Sequence, residues 1–273
     1  MLASLGHQHP AVHVLEVLRD QLESSALNEP TMMVRVYSSL ACMYVHIGLM
    51  TRAAEAARAA LDLSPRVFDP ESLAELHYNV AQLLLSELRF EEATRSFERA
   101  EYLYLQLDLR RELASARLAR GYSLARSDHL EQAKTELQEA IEIFVGIGAS
   151  DSAAHAFAEL ARIHRREGVM ENAQALLERC ISFLEPATPD NAAIRAWAHR
   201  QMALTLVATD RMGAEREVRA ALALYHRVER HLEEAATMDE LAELLAARGE
   251  GAPAFEIFRP GMKLLSHRLK PTP

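Results

Sequence analysis

Glycine and proline are scarce, ten of each in 273 residues, and no run alternates apolar with polar residues as a half-buried strand would. That excludes a β-rich fold and leaves an all-α chain. Long apolar runs are missing as well. No stretch approaches the ~18 residues that a membrane-spanning helix needs, so no membrane partner is expected. The first ten residues, MLASLGHQHP, have neither the basic start nor the apolar core of a secretion signal, and a cytoplasmic location is expected. Only two cysteines occur, Cys42 and Cys180, far apart in the chain. They read as buried thiols of a cytosolic protein and not as a disulfide. The net charge of −9 lacks the basic excess of a general DNA-binding protein. It disfavours direct nucleic-acid binding by this segment and leaves room for a local basic patch.

Residue patterns that carry chemistry are missing too. There is no phosphate-cradling glycine loop, no HExxH and no CxxC. Gly121-Tyr122-Ser123-Leu124-Ala125 imitates a nucleophile elbow, but that motif needs a strand before the serine, and here the serine falls mid-helix. His7, His9 and His13 have no nearby carboxylate or thiol to complete a ligand set. No enzyme, cofactor or metal is expected.

What is present is a period. Ala53, Ala93, Ala133, Ala173, Ala214 and Ala254 are separated by 40, 40, 40, 41 and 40 residues. Seven residues after each comes Ala60, Ala100, Ala140, Cys180, Ala221 and Gly261. Ahead of them run Ala41, Ala81, Gly121, Ala161, Ala203 and Ala242. Such self-similarity marks stacked supersecondary units. Helix axes ordinarily stay about 8–10 Å apart, and they approach closely where the facing side chain is small. The small positions therefore mark contacts between paired helices. From the second copy onward a larger residue, Phe97, Leu137, Leu177, Val218 and Phe258, fills the space beside them.

Tyr37, Leu40, Ala41, Tyr44, Gly48, Ala53, Ala57, Ala60 and Pro65 resemble one unit of the tetratricopeptide-repeat (TPR) family, as do Phe157, Leu160, Ala161, Gly168, Ala173, Leu177 and Pro186. The resemblance recurs six times in phase over about residues 32–262. The standard repeat has about 34 residues, so this is a long variant. It is similar to the arrays of kinesin light chains and of bacterial regulators. HEAT repeats share the length of about 40, but the phasing of the small residues is that of TPR. The resemblance implies an all-α, right-handed α-solenoid of about six helix pairs with N- and C-terminal capping helices. The expected organisation is a capping helix in 1–30, repeats at about 31–65, 71–105, 111–145, 152–186, 191–225 and 233–262, and a cap and tail in 263–273.

Local signals refine this. Asp69-Pro70 suits a helix start, as does Asp190, and Ser150 or Asp151 starts the fourth copy. Gly146 and Gly148 stop the helix before it. In the fifth copy the phase slips by a residue, which predicts a tighter turn. Pro260 predicts a broken last helix, followed by a cap over Met262 to Leu269. Arg117 and Arg120 occupy packing positions of the third copy. Either their heads reach solvent along apolar surface, or that helix is rotated.

In TPR arrays the first helix of each unit lines the inner surface. By that resemblance the first copy offers Arg35, Ser38 and Ser39, the second Tyr78, Asn79 and Gln82, and the third Tyr122 and Arg126. The fourth offers His155, Arg162, Arg165 and Arg166, the fifth Trp197, Arg200 and Gln201. The sixth is acidic, with Asp239, Glu240 and Glu243. An asparagine at the place of Asn79 can donate to a peptide C=O and accept from its N–H, or it is a solvated surface amide. The arginines either receive a carboxylate or pair with neighbouring glutamates. Trp197 and Tyr122 are interface anchors or core residues.

The long repeats resemble the TPR portions of the Rap, Rgg, NprR, PlcR and PrgX regulators and of TPR-bearing helix-turn-helix regulators. This implies a bacterial peptide- or protein-binding module with a regulatory job. Those proteins mostly carry a DNA-binding domain in front, for which the first 30 residues are too short. The segment is then the sensor part of a larger chain, or it acts without DNA. A static scaffold for a protein complex or a homodimer is the alternative.

Overall fold

The structure is a computed structural model and describes residues 10–25, 29–185, 188, 191–247 and 249. The expectations for His7, His9, Pro186, Asp190, Ala254, Phe258, Pro260, Gly261 and the cap over Met262 to Leu269 lie outside them. The described residues form twelve α-helices and one short 3-10 turn, with no strand among them. In chain order the helices are α1 Pro10–Ser24, α2 Pro30–His46, α3 Met50–Leu63, α4 Pro70–Ser86, α5 Phe90–Gln106 and α6 Arg110–Arg126. Then follow α7 Leu130–Gly146, α8 Ser150–Arg166, α9 Met170–Phe183, α10 Ala192–Leu206, α11 Arg211–Arg227 and α12 His231–Ala246.

The period begins in the turns. After α2, α4, α5, α6, α7, α8 and α11 only three residues separate one helix from the next. The middle one is left-handed in each, from Gly48 at φ 76° through Leu88 at 61° to Glu229 at 55°. The third residue donates its N–H back to a carbonyl of the finished helix, as in Leu49 to Tyr44 at 2.8 Å, Arg89 to Leu84 at 2.9 Å and Val169 to His164 at 2.9 Å. This hydrogen bond satisfies an orphaned carbonyl at the helix end. The same residue opens the next helix, and its own carbonyl accepts from the periodic alanine four positions on. Ala53 bonds Leu49 and Ala93 bonds Arg89, both at 3.0 Å. Turn and small residue are thus one unit, and their spacing is locked. Short turns of this kind make chain neighbours antiparallel.

The exceptions have identifiable causes. Asp69 caps α4 as expected, accepting from the Ser72 N–H at 3.0 Å, with Pro70 the first helical residue. At the start of α8 neither Ser150 nor Asp151 caps. Ala149 holds that position because its N–H is committed to the Phe144 carbonyl. The turn between α10 and α11 is longer than the others, not tighter. It spans Val207 to Asp210, contains no left-handed residue, and Asp210 caps α11 by accepting from the Gly213 N–H at 2.8 Å. The slip in phase is this added residue. Before α10, Asn191 and Thr188 hold each other, and the Asn191 amide donates to the Leu184 carbonyl at 3.2 Å.

The chain divides into two compact units, Met1–Ile143 and Phe144–Pro273. In the first, α2 packs on α3 and α4, α4 on α5, α5 on α6, and α1 lies on α2. In the second, α8 packs on α9 and α10, α10 on α11, and α11 on α12. Ala53, Ala93, Ala133, Ala173 and Ala214 are all 0% exposed. So are Ala60, Ala100, Ala140, Cys180 and Ala221. Phe97 fills the space beside Ala81 and Ala93, and Val218 that beside Ala203 and Ala214. Gly121 shows why the third row must be small: a Cβ there would stand 2.8 Å from the Leu137 Cγ and 3.3 Å from the Ala133 carbonyl. Cys180 is buried as expected. Cys42 is only half-buried, because its side of α2 faces an open groove.

Arg117 and Arg120 take neither expected course. Their heads are not released to solvent, and α6 keeps its place in the stack. Arg117 pairs with Glu136 at 3.4 Å and with Glu139. Arg120 pairs with Glu101 at 2.9 Å, Glu136 at 3.2 Å and Glu98 at 3.8 Å. Carboxylates from the flanking second helices α5 and α7 replace the apolar contacts that this position has elsewhere.

Candidate functional site

In the first unit, α1, α2 and α4 border an open groove of ≈ 770 Å³. Val14 and Leu15 of α1 and Met43 of α2 give it apolar walls, and Tyr78, Asn79 and Glu75 project from α4. Tyr104 of α5 also lines it. Helical spacing explains the grouping: Glu75, Tyr78 and Asn79 are three and four residues apart and share a face of α4. Tyr78 is fixed from behind, its ring edge-on to Phe97 with centroids 5.6 Å apart. Burial pushes the Tyr78 hydroxyl above its usual range, and Gln82 opposes that. Burial pushes the Glu75 carboxyl above its usual range, and the Arg35 guanidinium 3.7 Å away opposes that. Glu71 and Glu112 also bear on Glu75, so this part of the first unit is acidic in balance.

The remaining first-unit candidates are placed differently. Arg35 is committed to Glu75. Ser38 is buried and bonds the Arg35 carbonyl, so it does not face the groove, whereas Ser39 lines it. Tyr122 is partly buried. Arg126 is exposed and stacks over the Phe90 ring at 5.4 Å. Ser123, the serine of the elbow-like motif, lies in α6, is 0% exposed and donates to the carbonyl of Phe90 in α5 at 2.7 Å.

The second unit gathers its charged candidates on the first helices α8 and α10. Arg162 pairs with Glu159 at 2.7 Å. Arg200 clamps Glu240 of α12 through contacts of 2.9, 2.9 and 2.6 Å. Arg165 donates to the Gln201 side chain at 3.2 Å. His155 and Arg166 are exposed, and Trp197 is partly buried. Among the described residues no three His, Cys, Asp or Glu side chains stand together as a metal site. No helix among them is long and apolar enough to cross a membrane.

Two features escape the sequence reading. The first is the role of α1, which reads as a cap and also serves as a wall of the groove. Val14, 63% exposed, carries that signal, since it breaks the buried stripe of Val12 and Leu18. The second is that arginines on the first helices are answered one repeat later. Arg35 and Glu75, like Arg200 and Glu240, are 40 residues apart. Opposite charges one period apart could have been counted in the sequence.

No family model matches the sequence, and no curated protein matches it in sequence. Solved structures do match. The apo form of the quorum sensor NprR from B. thuringiensis superposes with a TM-score of 0.72 at 15% identity, over 96% of this chain and 73% of that one. The fold is a TPR-like α-solenoid. A signal-transduction ATPase with a tetratricopeptide repeat sensor from Pyrococcus horikoshii matches with a TM-score of 0.74 at 15% identity. The match covers 95% of this chain and 42% of that one. The Rap conjugation gene regulator of plasmid pLS20, in complex with the Phr* peptide, matches with a TM-score of 0.62 at 11% identity, over 94% of this chain and 84% of that one. At such identities the likeness to these TPR proteins is one of fold.

Proposed function

We propose that this TPR-like chain is a peptide- or protein-binding module serving as the sensor or regulatory part of a bacterial signalling or transcription-regulating system. An extended peptide segment lies along the first helices, and in the first unit it occupies the groove between α1, α2 and α4. The observation that carries the reading is Asn79, an amide beside the ordered Tyr78 between apolar walls. One asparagine can hold a peptide C=O and its N–H together, which grips backbone whatever the side chains are. The walls then take an apolar side chain. The peptide bound to the Rap regulator of pLS20 supports the reading by analogy of fold alone.

Passing the full chain over a pool of mixed hexapeptides tests it. Asn79→Ala weakens retention by about five- to thirtyfold, as the loss of one or two net hydrogen bonds of ~1 kcal/mol each implies. Retention unchanged by this substitution overturns the groove assignment. The alternative, a static scaffold, draws support from the arginines already paired with the chain's own acids, Arg35 with Glu75 and Arg200 with Glu240. Scattering measurements separate the two. A sensor compacts when the retained peptide binds, and a scaffold keeps its radius of gyration.

A further inference from the structure

Phe68 is 92% exposed, more than any other large apolar side chain among the described residues. Its backbone is nonetheless held on both sides. Val67 before it is buried with Val34, Ala60 and Leu76, and its N–H donates to the Ser64 carbonyl at 3.0 Å. Asp69 after it caps α4. The loop exists because α3 has 14 residues where α5 has 17, and Pro65 follows the point where α3 stops. Between α5 and α6 the same connection takes only Leu107 to Leu109. An aromatic ring held out in water on a fixed backbone is a ready anchor for an interface.

A second departure from the period makes a socket. At the longer turn from Val207 to Asp210, α10, α11 and α12 leave a cavity of ≈ 280 Å³ with Leu204, Val207, Leu244 and Ala247 in its apolar lining. Val207 is 38% exposed and Ala247 is exposed, so the cavity opens to solvent. Its volume lies just below the about 300–1,000 Å³ of small-molecule pockets and suits a single large side chain. Charge is matched as well. Phe68 stands between the exposed Arg66 and the half-exposed Asp69, one of each sign. The socket carries the exposed Glu243 and Arg211, again one of each sign. Glu240, also beside it, is taken by Arg200.

We propose that Phe68 of one copy of this chain enters the cavity between α10, α11 and α12 of a second copy, with Arg66 toward Glu243 and Asp69 toward Arg211. Two different surfaces meet in such a contact, so it repeats from copy to copy or closes into a ring. Neither surface lines the groove of α1, α2 and α4, so the association stands apart from peptide binding.

Sedimentation equilibrium of the full chain, from low-micromolar to near-millimolar concentration, tests it. The average mass of the wild type rises with concentration. Phe68→Ser, in an exposed loop, weakens the association about thirtyfold or more, as loss of a central anchor does. Val207→Glu places a charge in the socket and weakens it likewise. Mixed together, the two variants associate one to one, because the intact Phe68 of one meets the intact cavity of the other. Denaturation midpoints close to that of the wild type show that both variants fold. Should Val207→Glu fail to fold, Ala247→Arg at the exposed rim takes its place. A wild type that stays monomeric throughout overturns the proposal, and so it does where the socket holds another part of the chain or Phe68 serves a different protein. Association unchanged by Phe68→Ser, or a mixture of folded variants that stays monomeric, overturns it as well.

Discussion

Leu88 holds a φ of 61° in the turn between α4 and α5, at a position that Gly48 occupies one repeat earlier with φ 76°. A left-handed residue with a side chain costs about 1–2 kcal/mol, and glycine escapes most of that. Leu88 is 67% exposed, so its removal sacrifices little packing. Leu88→Gly therefore stabilises the chain by about 1 kcal/mol, readable as a raised midpoint of denaturation. A lowered midpoint would mean that the Leu88 side chain does something on the surface. This position also marks a limit of legibility. The rows of small residues can be read from the sequence because each is dictated by close helix approach, as the space around Gly121 shows. The left-handed turn positions cannot, because Leu88, Asp108, Asp128 and Glu229 satisfy them without glycine. Tertiary stacking overrides local preference there.

At the scale of the helix, the ion-pair cluster joining α5, α6 and α7 makes stability depend on pH. Burial, reinforced by Glu136, raises the Glu101 carboxyl to about 7, with Arg120 and Arg117 opposing. Glu136 is likewise raised, chiefly by burial. An unfolded glutamate titrates near 4.3, so between about 4.3 and 7 the folded state binds more protons than the unfolded one. Stability from this group therefore rises as pH falls through 7 toward 4.3, and at pH 8 the buried charge is a burden. Glu101→Gln removes that charge while Arg120 retains Glu136 and Glu98. The variant is more stable than wild type at pH 8, and the difference shrinks toward pH 5. Denaturant midpoints over that range check it, and a gap that widens on acidification contradicts it. The sequence places Arg117 and Arg120 in packing positions correctly. It does not show their partners, because Glu101 and Glu136 come from two different neighbouring helices.

At the largest scale, stacking of repeated helix pairs means that stability is built from each pair and its neighbours. It also means that a ligand spread over several first helices engages several units at once. The repeat fold was legible in the sequence because six weak copies share one phase. The candidate site was legible only in part. Tyr78 and Asn79 come from the pattern, whereas the wall supplied by Val14 and Leu15 and the pairing of Arg35 with Glu75 arise from how α1 and successive repeats meet. Amide hydrogen exchange of the full chain, with and without a retained peptide, tests directly whether the groove between α1, α2 and α4 holds that peptide. A peptide held there slows exchange in α1, α2 and α4, centred on Asn79, and produces no such slowing in Asn79→Ala. Protection confined to the second helices α3 and α5, or equal protection in the variant, would contradict it.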